Sequence, residues 1–352
     1  MFVEITNEPR DYSWGSSTLL PELLGRAPTG RPEAELWLGT HPGSPARLVG
    51  GGDLRETTGE LPFLLKLLAA GSTLSLQAHP TTARAREGFA REDAAGIPRD
   101  DPARNYKDPF AKPELVYALS DEFRALSGFR PVAETRTDLD TAAPGLLPDL
   151  RSEADLRPVV ERLLTTDVSA ELDALVAASV DGAGESWATV RDLARQCPGD
   201  PGIAIALLLH TVVLRRGEAL YLPPGNIHAY QRGLAIELMG PSDNVLRGGL
   251  TPKHVDVPEL LGVLDFRALP EPRVIPAVSD GVSDFAPAGA GFRLRVLAPG
   301  ASVSVEAPAL VLVLDGEATV GDAVLGAVRA GAVVDGVETI RAAGTTVVAT
   351  AG

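Results

Sequence analysis

The apolar positions divide the chain into a strand-rich beginning, a helical middle and a strand-rich end. Between residues 122 and 195, apolar side chains recur at helical spacing, for instance at Leu156, Val159 and Leu163. Outside that segment, short apolar runs alternate with glycine and proline, which is typical of β-strands joined by tight turns. We therefore expect a mainly β protein with a helical insert over 122–195.

Shorter runs predict individual elements. A strand is expected at 36–42, and 61–76 predicts a short helix or strand, a turn and a second strand. The charged stretch 81–105, rich in glycine and proline, indicates a surface excursion. A buried helix at 203–209 leads into further strands, which are expected at 211–214, 219–222, 293–297, 302–305, 310–314 and 345–349.

This layout predicts three units. Residues 1–121 and 196–265 form a β-barrel that is discontinuous in sequence, and 122–195 form the insert. Residues 266–352 form a second β domain. The chain contains five histidines, and none of them lies beyond His254, so the last domain cannot repeat a histidine-based metal site.

Composition and charge exclude several classes of protein. The 352 residues are 45% apolar, and 47 acidic against 32 basic side chains give a formal net charge of -15. Such a surface repels nucleic acid and anionic membranes. The single cysteine, Cys197, allows neither an intrachain disulfide nor a cysteine-based zinc site. With no apolar run long enough to span a bilayer and no signal peptide, we expect a cytoplasmic monomer.

Lysine is unusually rare. Only four of the 32 basic residues are lysine, and each lies in or beside a motif described below. Lysine is a compact charge with a tunable pKa, whereas arginine is a rigid, permanently charged fork. We therefore expect functional positions at Lys66, Lys107, Lys112 and Lys253.

Two glycine-led motifs place histidines on predicted strands. One runs from Gly71 to Gln77 and His79, whose i, i+2 spacing puts both side chains on one face of a strand. The other runs from Gly217 through a Pro-Pro-Gly turn to His228. The pair resembles the two motifs of the cupin barrel. It departs from them where Gln77 replaces a histidine and Arg232 replaces an asparagine.

Further motifs narrow the resemblance to one enzyme family. Together with the two above, they resemble those of the type I phosphomannose isomerases, in the same order, from about residue 9 to about residue 260. They are YSWG at 12–15, AELWLG at 34–39, NYKDPFAKPELVY at 105–117 and ELMGPSDNVLRGGLTPK at 237–253.

The resemblance implies two cupin-type (jelly-roll) barrels and one zinc ion. The implied ligands are Gln77, His79, Glu114 and His228. Zinc accepts imidazole nitrogen and carboxylate oxygen and keeps a position open when it is catalytic. One carboxylate among neutral ligands leaves the site positive, which suits the stabilisation of negative charge on sugar oxygens.

The implied reaction interconverts mannose 6-phosphate and fructose 6-phosphate by proton transfer through an enediol. The resemblance places Arg247 in the active site, and Glu237 and Asp243 are the candidate proton carriers. Arginine is a poor base, so we assign Arg247 to the enediolate or the phosphate. The family commonly has a polar residue or a histidine just before the Lys-Pro-Glu sequence, where this chain has Phe110 and Ala111. The candidates for binding the phosphosugar are Trp14, Lys66, Ser75, Lys112, Tyr230 and Lys253.

Three alternatives remain at this point. A non-catalytic, metal-binding cupin that senses sugar phosphates would keep the barrel and the zinc. An isomerase for another phosphosugar, such as glucose 6-phosphate, would differ only in the shape of its pocket. An iron-dependent cupin oxygenase would favour histidine at the position of Gln77, so the sequence argues against it.

Overall fold

The computed structural model describes residues 1–269 and 272–352 and is mainly β, with 32% strand and 24% helix. The strands are β1 Phe2–Thr6, β2 Glu35–Leu38, β3 Arg47–Leu48, β4 Leu64–Ala70, β5 Leu76–Ala78, β6 Glu114–Ala118, β7 Phe123–Phe129, β8 Leu209–Leu214, β9 Ala219–Leu222, β10 His228–Met239, β11 Leu246–Gly249, β12 Arg273–Val274, β13 Ala277–Ser279, β14 Val282–Phe285, β15 Phe292–Leu297, β16 Ser302–Glu306, β17 Ala309–Val313, β18 Glu317–Val320, β19 Ala323–Gly326, β20 Ala330–Val333, β21 Val337–Ala342 and β22 Thr346–Ala351. The helices are α1 Leu19–Leu23, α2 Leu54–Thr58, α3 Thr82–Ala94, α4 Val132–Ala142, α5 Leu156–Thr165, α6 Ser169–Ser179, α7 Glu185–Gln196, α8 Gly202–Leu207 and α9 Val257–Val263, with a 3-10 turn at Glu153–Asp155.

The long strand β10 organises the largest sheet. Its first half pairs antiparallel with β5 and β7, and its second half pairs with β4 and β6. The change of partners coincides with a shift of register between Tyr230 and Arg232. Both faces of β10 are covered, and of its residues only Arg232 is exposed. This burial explains why apolar residues fill the second half of the strand, Leu234 to Met239, except at Glu237.

The C-terminal strands form an eight-stranded and a four-stranded sheet within the described residues. The eight-stranded sheet also includes β1 and β3, although the sequence analysis expected both strands in the first barrel. Residues Phe2 to Ile5 pair with β20, where Gly331 leaves room for the Phe2 ring. A Cβ on Gly331 would lie 2.1 Å from Phe2 Cζ. The start of the chain therefore packs with the last domain.

The helical insert begins later than the hydrophobic pattern predicted. Residues Phe123–Phe129, expected to belong to it, form β7, which pairs with β8 and β10. The helices follow from Val132, and α5, α7 and α8 share one apolar core around Trp187. Seven residues are too few to separate a buried strand from a helix by periodicity alone.

A helix also occupies the predicted surface excursion. In α3, the residues that face inward are Ala85, Gly88 and Glu92, which share one helical face. Because these are small or charged, the stretch carries no hydrophobic period. The Thr81 hydroxyl caps the helix by accepting a hydrogen bond from the Arg84 amide at 3.3 Å.

The other predicted elements are confirmed. Strand β2 overlaps the predicted stretch 36–42 but ends at Leu38. Strand β4 lies within 61–76, and the second strand, β5, begins at the last residue of that stretch. The buried helix is α8, which leads directly into β8. The later predictions correspond to β9, β15, β16, β17 and β22.

Gly88 gives a test of the packing of α3. Alanine at an exposed helical site usually stabilises by about 1 kcal/mol relative to glycine. Here a Cβ would lie 2.3 Å from the Tyr106 ring, so we expect Gly88→Ala to lower the free energy of unfolding by about 1–3 kcal/mol. Urea denaturation measures the change, with Glu87→Ala as the exposed control on the same helix. Stabilisation by Gly88→Ala would contradict the packing.

Candidate metal centre and active site

Strand register brings three distant residues into one row. Gln77 on β5 lies opposite His228 on β10 and, on its other side, opposite Arg247 on β11. Directly opposed residues in antiparallel strands point to the same face. The sheet therefore places an amide, an imidazole and a guanidinium side by side, although they come from three separate motifs.

His79, Glu114 and His228 form a compact group of metal-ligand type. Their ligand atoms all lie within 4.8 Å of one another. One Glu114 oxygen lies 3.1 Å from His79 Nε2 and the other lies 3.2 Å from His228 Nε2. All three side chains are buried. Two imidazoles and a carboxylate are the ligand types that zinc favours.

The Nδ1 atom of each imidazole lies within hydrogen-bond distance of a backbone carbonyl oxygen. His79 Nδ1 lies 2.7 Å from the Asn244 carbonyl oxygen, and His228 Nδ1 lies 3.1 Å from that of Asn226. A carbonyl only accepts hydrogen bonds, so each Nδ1 carries the proton and each Nε2 presents a lone pair to the centre. This arrangement orients metal-binding histidines.

The Nε2 atoms of the two imidazoles are available to bind a metal ion. His79 Nε2 and His228 Nε2 are buried, and neither has a hydrogen-bond partner among the described residues. Burial, reinforced by the Lys112 ammonium, lowers the pKa of His79 to about 4, so the ring is neutral near pH 7, as ligation requires. A buried polar atom without a partner needs an explanation, and a zinc ion between these nitrogens provides one.

The Glu114 carboxylate is held in its ionised form. Lys112 Nζ lies 2.8 Å from one of its oxygens, and the Tyr230 hydroxyl donates to the other at 3.3 Å. Burial alone would raise the pKa of Glu114, but Lys112 and His79 hold it well below its usual value. The carboxylate is therefore ready to bind a cation.

A second buried cluster surrounds Lys66. Its ammonium lies 2.9 Å from Glu237 and 3.4 Å from Glu35, and it sits 4.8 Å from the centre of the Trp37 ring. Burial would lower the pKa of Lys66, but Glu237 and Glu35 raise it. The Trp37 indole donates to Glu35 at 2.8 Å. Pairing across β4 and β10 places Glu237 directly opposite Lys66.

One cavity of about 790 Å³ joins the two clusters. It contains all four lysines of the chain, which agrees with the expectation that lysine was kept for function. His79 and His228 do not line it but lie buried against Glu114, which does. The predicted residues that line the cavity are Trp14, Lys66, Ser75, Gln77, Lys112, Glu114, Tyr230, Glu237, Asp243, Arg247 and Lys253.

Of the departures from the family motifs, Gln77 lies beside the metal group, whereas Arg232 lies at the surface. Arg232, at the position of the cupin asparagine, has a side chain that is 56% exposed and lies 3.7 Å from Glu122. Ala111 brings no ionisable group. Among the described residues, His41 is the one histidine that lines the cavity. Its Nδ1 accepts from the Gly43 amide at 3.1 Å, and its Nε2 lies 3.4 Å from Asp243.

Asn244 is a buried connection that the sequence analysis missed. Its side-chain oxygen accepts from the Lys107 amide at 2.7 Å, and its amide donates to the Asp108 and Phe110 carbonyls at 2.8 and 2.9 Å. Its own carbonyl holds His79. Asn244 thus ties the segment that carries Lys107 to a candidate zinc ligand. Glu35 and Trp37 were also missed, although their motif was recognised.

Comparison with known proteins identifies relatives over nearly the whole chain. The model of the phosphomannose isomerase type I catalytic domain matches residues 2–132. The mannose-6-phosphate isomerase of Escherichia coli is 38% identical, with 90% of this chain and 89% of that protein aligned. The enzyme of Bos taurus is 30% identical, with 74% and 72% aligned. No helix in the described ranges is long and apolar enough to cross a membrane.

Solved structures agree over the full length. A mannose 6-phosphate isomerase bound with zinc and yttrium is 34% identical, with a TM-score of 0.91 and 99% of each chain covered. A zinc-bound form is 33% identical, with the same TM-score and coverage. The fold is therefore the mainly antiparallel, cupin-type fold of these enzymes. With relatives this similar over nearly its whole length, the chain belongs to the type I phosphomannose isomerase family.

Proposed function

We propose that the protein is a zinc-dependent aldose–ketose isomerase that interconverts mannose 6-phosphate and fructose 6-phosphate. The observation that carries the proposal is the pair of unpartnered imidazole nitrogens on either side of an ionised carboxylate. This group adjoins a cavity that holds every lysine of the chain. Relatives named mannose-6-phosphate isomerase support the same activity.

Four side chains would hold the zinc ion. His79, His228 and Glu114 are the buried group, and Gln77 adds a neutral oxygen from the position opposite His228. Zinc, when bound there, supplies Lewis-acid stabilisation for negative charge on the sugar oxygens. The carbonyls of Asn244 and Asn226 keep both imidazoles in the orientation that ligation needs.

Glu237 is our first candidate for the proton carrier. Burial, with Glu114 and Glu35 adding to it, raises the pKa of Glu237, which brings the carboxyl closer to the range useful for taking and returning a proton. A single base can move the proton between carbons 1 and 2 on one face of the enediol. Asp243 is the second candidate, and it also lines the cavity. Lys66 balances the charge of Glu237.

The phosphate would bind among converging cations. Burial and the nearby charges of Arg247 and Lys107 lower the pKa of Lys253, so these three groups repel one another. A phosphate carries about 1.5–2 negative charges near neutral pH and would offset that repulsion. We assign Arg247 to the phosphate or the enediolate. Trp14, Ser75, Lys112 and Tyr230 are proposed to contact the phosphosugar.

The domain division supports a single reaction site. We propose a catalytic barrel of residues 1–121 and 196–265, an insert of 122–195 and a second barrel of 266–352 without metal, except that β7 joins the first barrel and β1 and β3 lie in the sheet of the second. All ligand candidates lie in the first of these. We further propose a monomer that acts in the cytoplasm on a phosphosugar and not on nucleic acid, as its net charge of -15 favours.

A coupled assay tests the activity. Formation of fructose 6-phosphate from mannose 6-phosphate is followed before chelation, after chelation and after zinc is added back. We expect chelation to abolish activity and zinc to restore it. Absence of activity in protein that contains stoichiometric zinc would contradict the proposal. Other phosphosugars, tried in the same assay, would then show whether the enzyme has a different substrate or only binds.

Zinc content tests the ligand assignment. We expect His79→Ala and His228→Ala each to weaken zinc binding by more than the ~10–100-fold that follows loss of an outer partner, because each removes a ligand nitrogen. Mass spectrometry of the dialysed protein measures the metal. His254→Asn changes an exposed histidine and should retain full zinc. Normal zinc in either alanine variant would refute the assignment.

Glu237→Gln tests the proton carrier. The amide keeps the size of the carboxyl but cannot accept the proton, so we expect kcat to fall by about 10²–10⁴-fold. Zinc content should stay unchanged, since Glu237 is not a proposed ligand. Glu317→Gln, at an exposed position of β18, is the control. A kcat within a few-fold of the parent would assign the proton transfer to another group, with Asp243→Asn the next variant.

A further inference from the structure

The end of the helical insert lies against the cavity. Gln196 and Cys197, at the end of α7, are among its lining residues. The Gln196 side-chain oxygen accepts from the Thr73 amide at 2.9 Å, so the insert holds the loop that leads to Ser75. Three residues after Cys197, Asp200 reaches a second loop of the cavity.

Asp200 accepts three backbone hydrogen bonds. One oxygen accepts from the Gly202 amide at 2.7 Å and from the Leu250 amide at 2.9 Å. The other accepts from the Thr251 amide at 3.2 Å. Two of these bonds cross to a segment about fifty residues further along the chain. Charge-assisted bonds from backbone amides to a carboxylate are stronger than neutral ones.

The loop that Asp200 holds has an unfavourable backbone conformation. Leu250 has a φ of +56°, in the left-handed region that side chains with a Cβ rarely adopt. Its neighbour Gly249 packs tightly, since a Cβ there would lie 2.9 Å from Gly202 Cα and 3.0 Å from the Asp200 oxygen. Such a conformation persists only where surrounding contacts fix it, and Asp200 supplies two of those contacts.

The two proposed phosphate cations flank this loop. Arg247 lies three residues before Leu250 and Lys253 lies three residues after it, and both line the cavity. We propose that Asp200 is a positioning residue for the phosphate: it fixes Leu250 and Thr251 so that Arg247 and Lys253 face the same part of the cavity. This inference rests on the proposed function for the identity of the phosphosugar.

Electrostatics and positioning make opposite predictions here. A carboxylate bonded to the loop between two phosphate-binding cations repels an anion bound there, so removing its charge should by Coulomb's law strengthen phosphate binding. If Asp200 acts by positioning, its removal instead releases the loop and weakens phosphate binding. The sign of the change therefore distinguishes the two roles.

The experiment measures binding of inorganic phosphate to the zinc-loaded, full-length protein by titration calorimetry. We expect Asp200→Ala to weaken binding by about tenfold, which is the scale of one lost hydrogen bond to a charged group. Asp200→Asn retains one accepting oxygen and should lie between the parent and the alanine variant. Asp192→Asn, which removes a half-buried charge that pairs with Arg195 on α7, is the control. In the isomerase assay, the KM for mannose 6-phosphate should rise while kcat changes less than about threefold.

Binding that is unchanged or stronger in both Asp200 variants would overturn the inference. So would absence of phosphate binding to the parent protein, or loss of zinc from Asp200→Asn. If Asp200→Ala does not fold, Asp200→Asn alone decides the sign. The positioning role and the proposed function can fail independently. If the protein has no isomerase activity but the Asp200 variants bind phosphate more weakly, the positioning role is supported and the proposed function is contradicted.

Discussion

A buried, ionised carboxylate between two imidazoles is the constraint on which the site depends. Glu114 lies against the Nε2 atoms of His79 and His228, and all three side chains are buried. An unpaired charge in such surroundings is very costly, so the group requires cations close by. Lys112 supplies one, and a metal ion would supply the other. The register of β5 on β10 sets Gln77 opposite His228, and Glu114, at the start of β6, lies against both imidazoles.

The rest of the cavity also carries concentrated positive charge. The protein is strongly acidic overall, yet it concentrates all four lysines around one cavity. Two of the segments around the cavity are tied to others by hydrogen bonds that are at least partly buried. Asn244 joins the Lys107 segment to His79, and Asp200 joins the segment after α7 to the loop between Arg247 and Lys253. Networks of this kind are stable only when every member has a partner, which explains why so many buried polar groups are held by main-chain atoms.

Local patterns predicted the parts of the fold and site that depend on local spacing. The i, i+2 spacing of Gln77 and His79 and the scarcity of lysine can both be recognised without a structure. The sequence analysis did not find α3, because its inward face consists of Ala85, Gly88 and Glu92, or the pairing of β1 with β20, which joins the two ends of the chain. It also did not find Asn244 and Asp200, whose roles depend on contacts with residues far away in sequence. The resemblance to a family supplied the ligand set, which spacing alone would have left open.

The most direct test of this account is an anomalous difference map from crystals of the zinc-loaded protein, recorded on both sides of the zinc absorption edge. We expect one peak at about 2.0–2.2 Å from His79 Nε2, His228 Nε2 and a Glu114 oxygen, with the Gln77 side-chain oxygen directed towards it. A zinc peak elsewhere, or one that excludes either imidazole, would contradict the claim that the buried carboxylate and its two histidines form the metal centre.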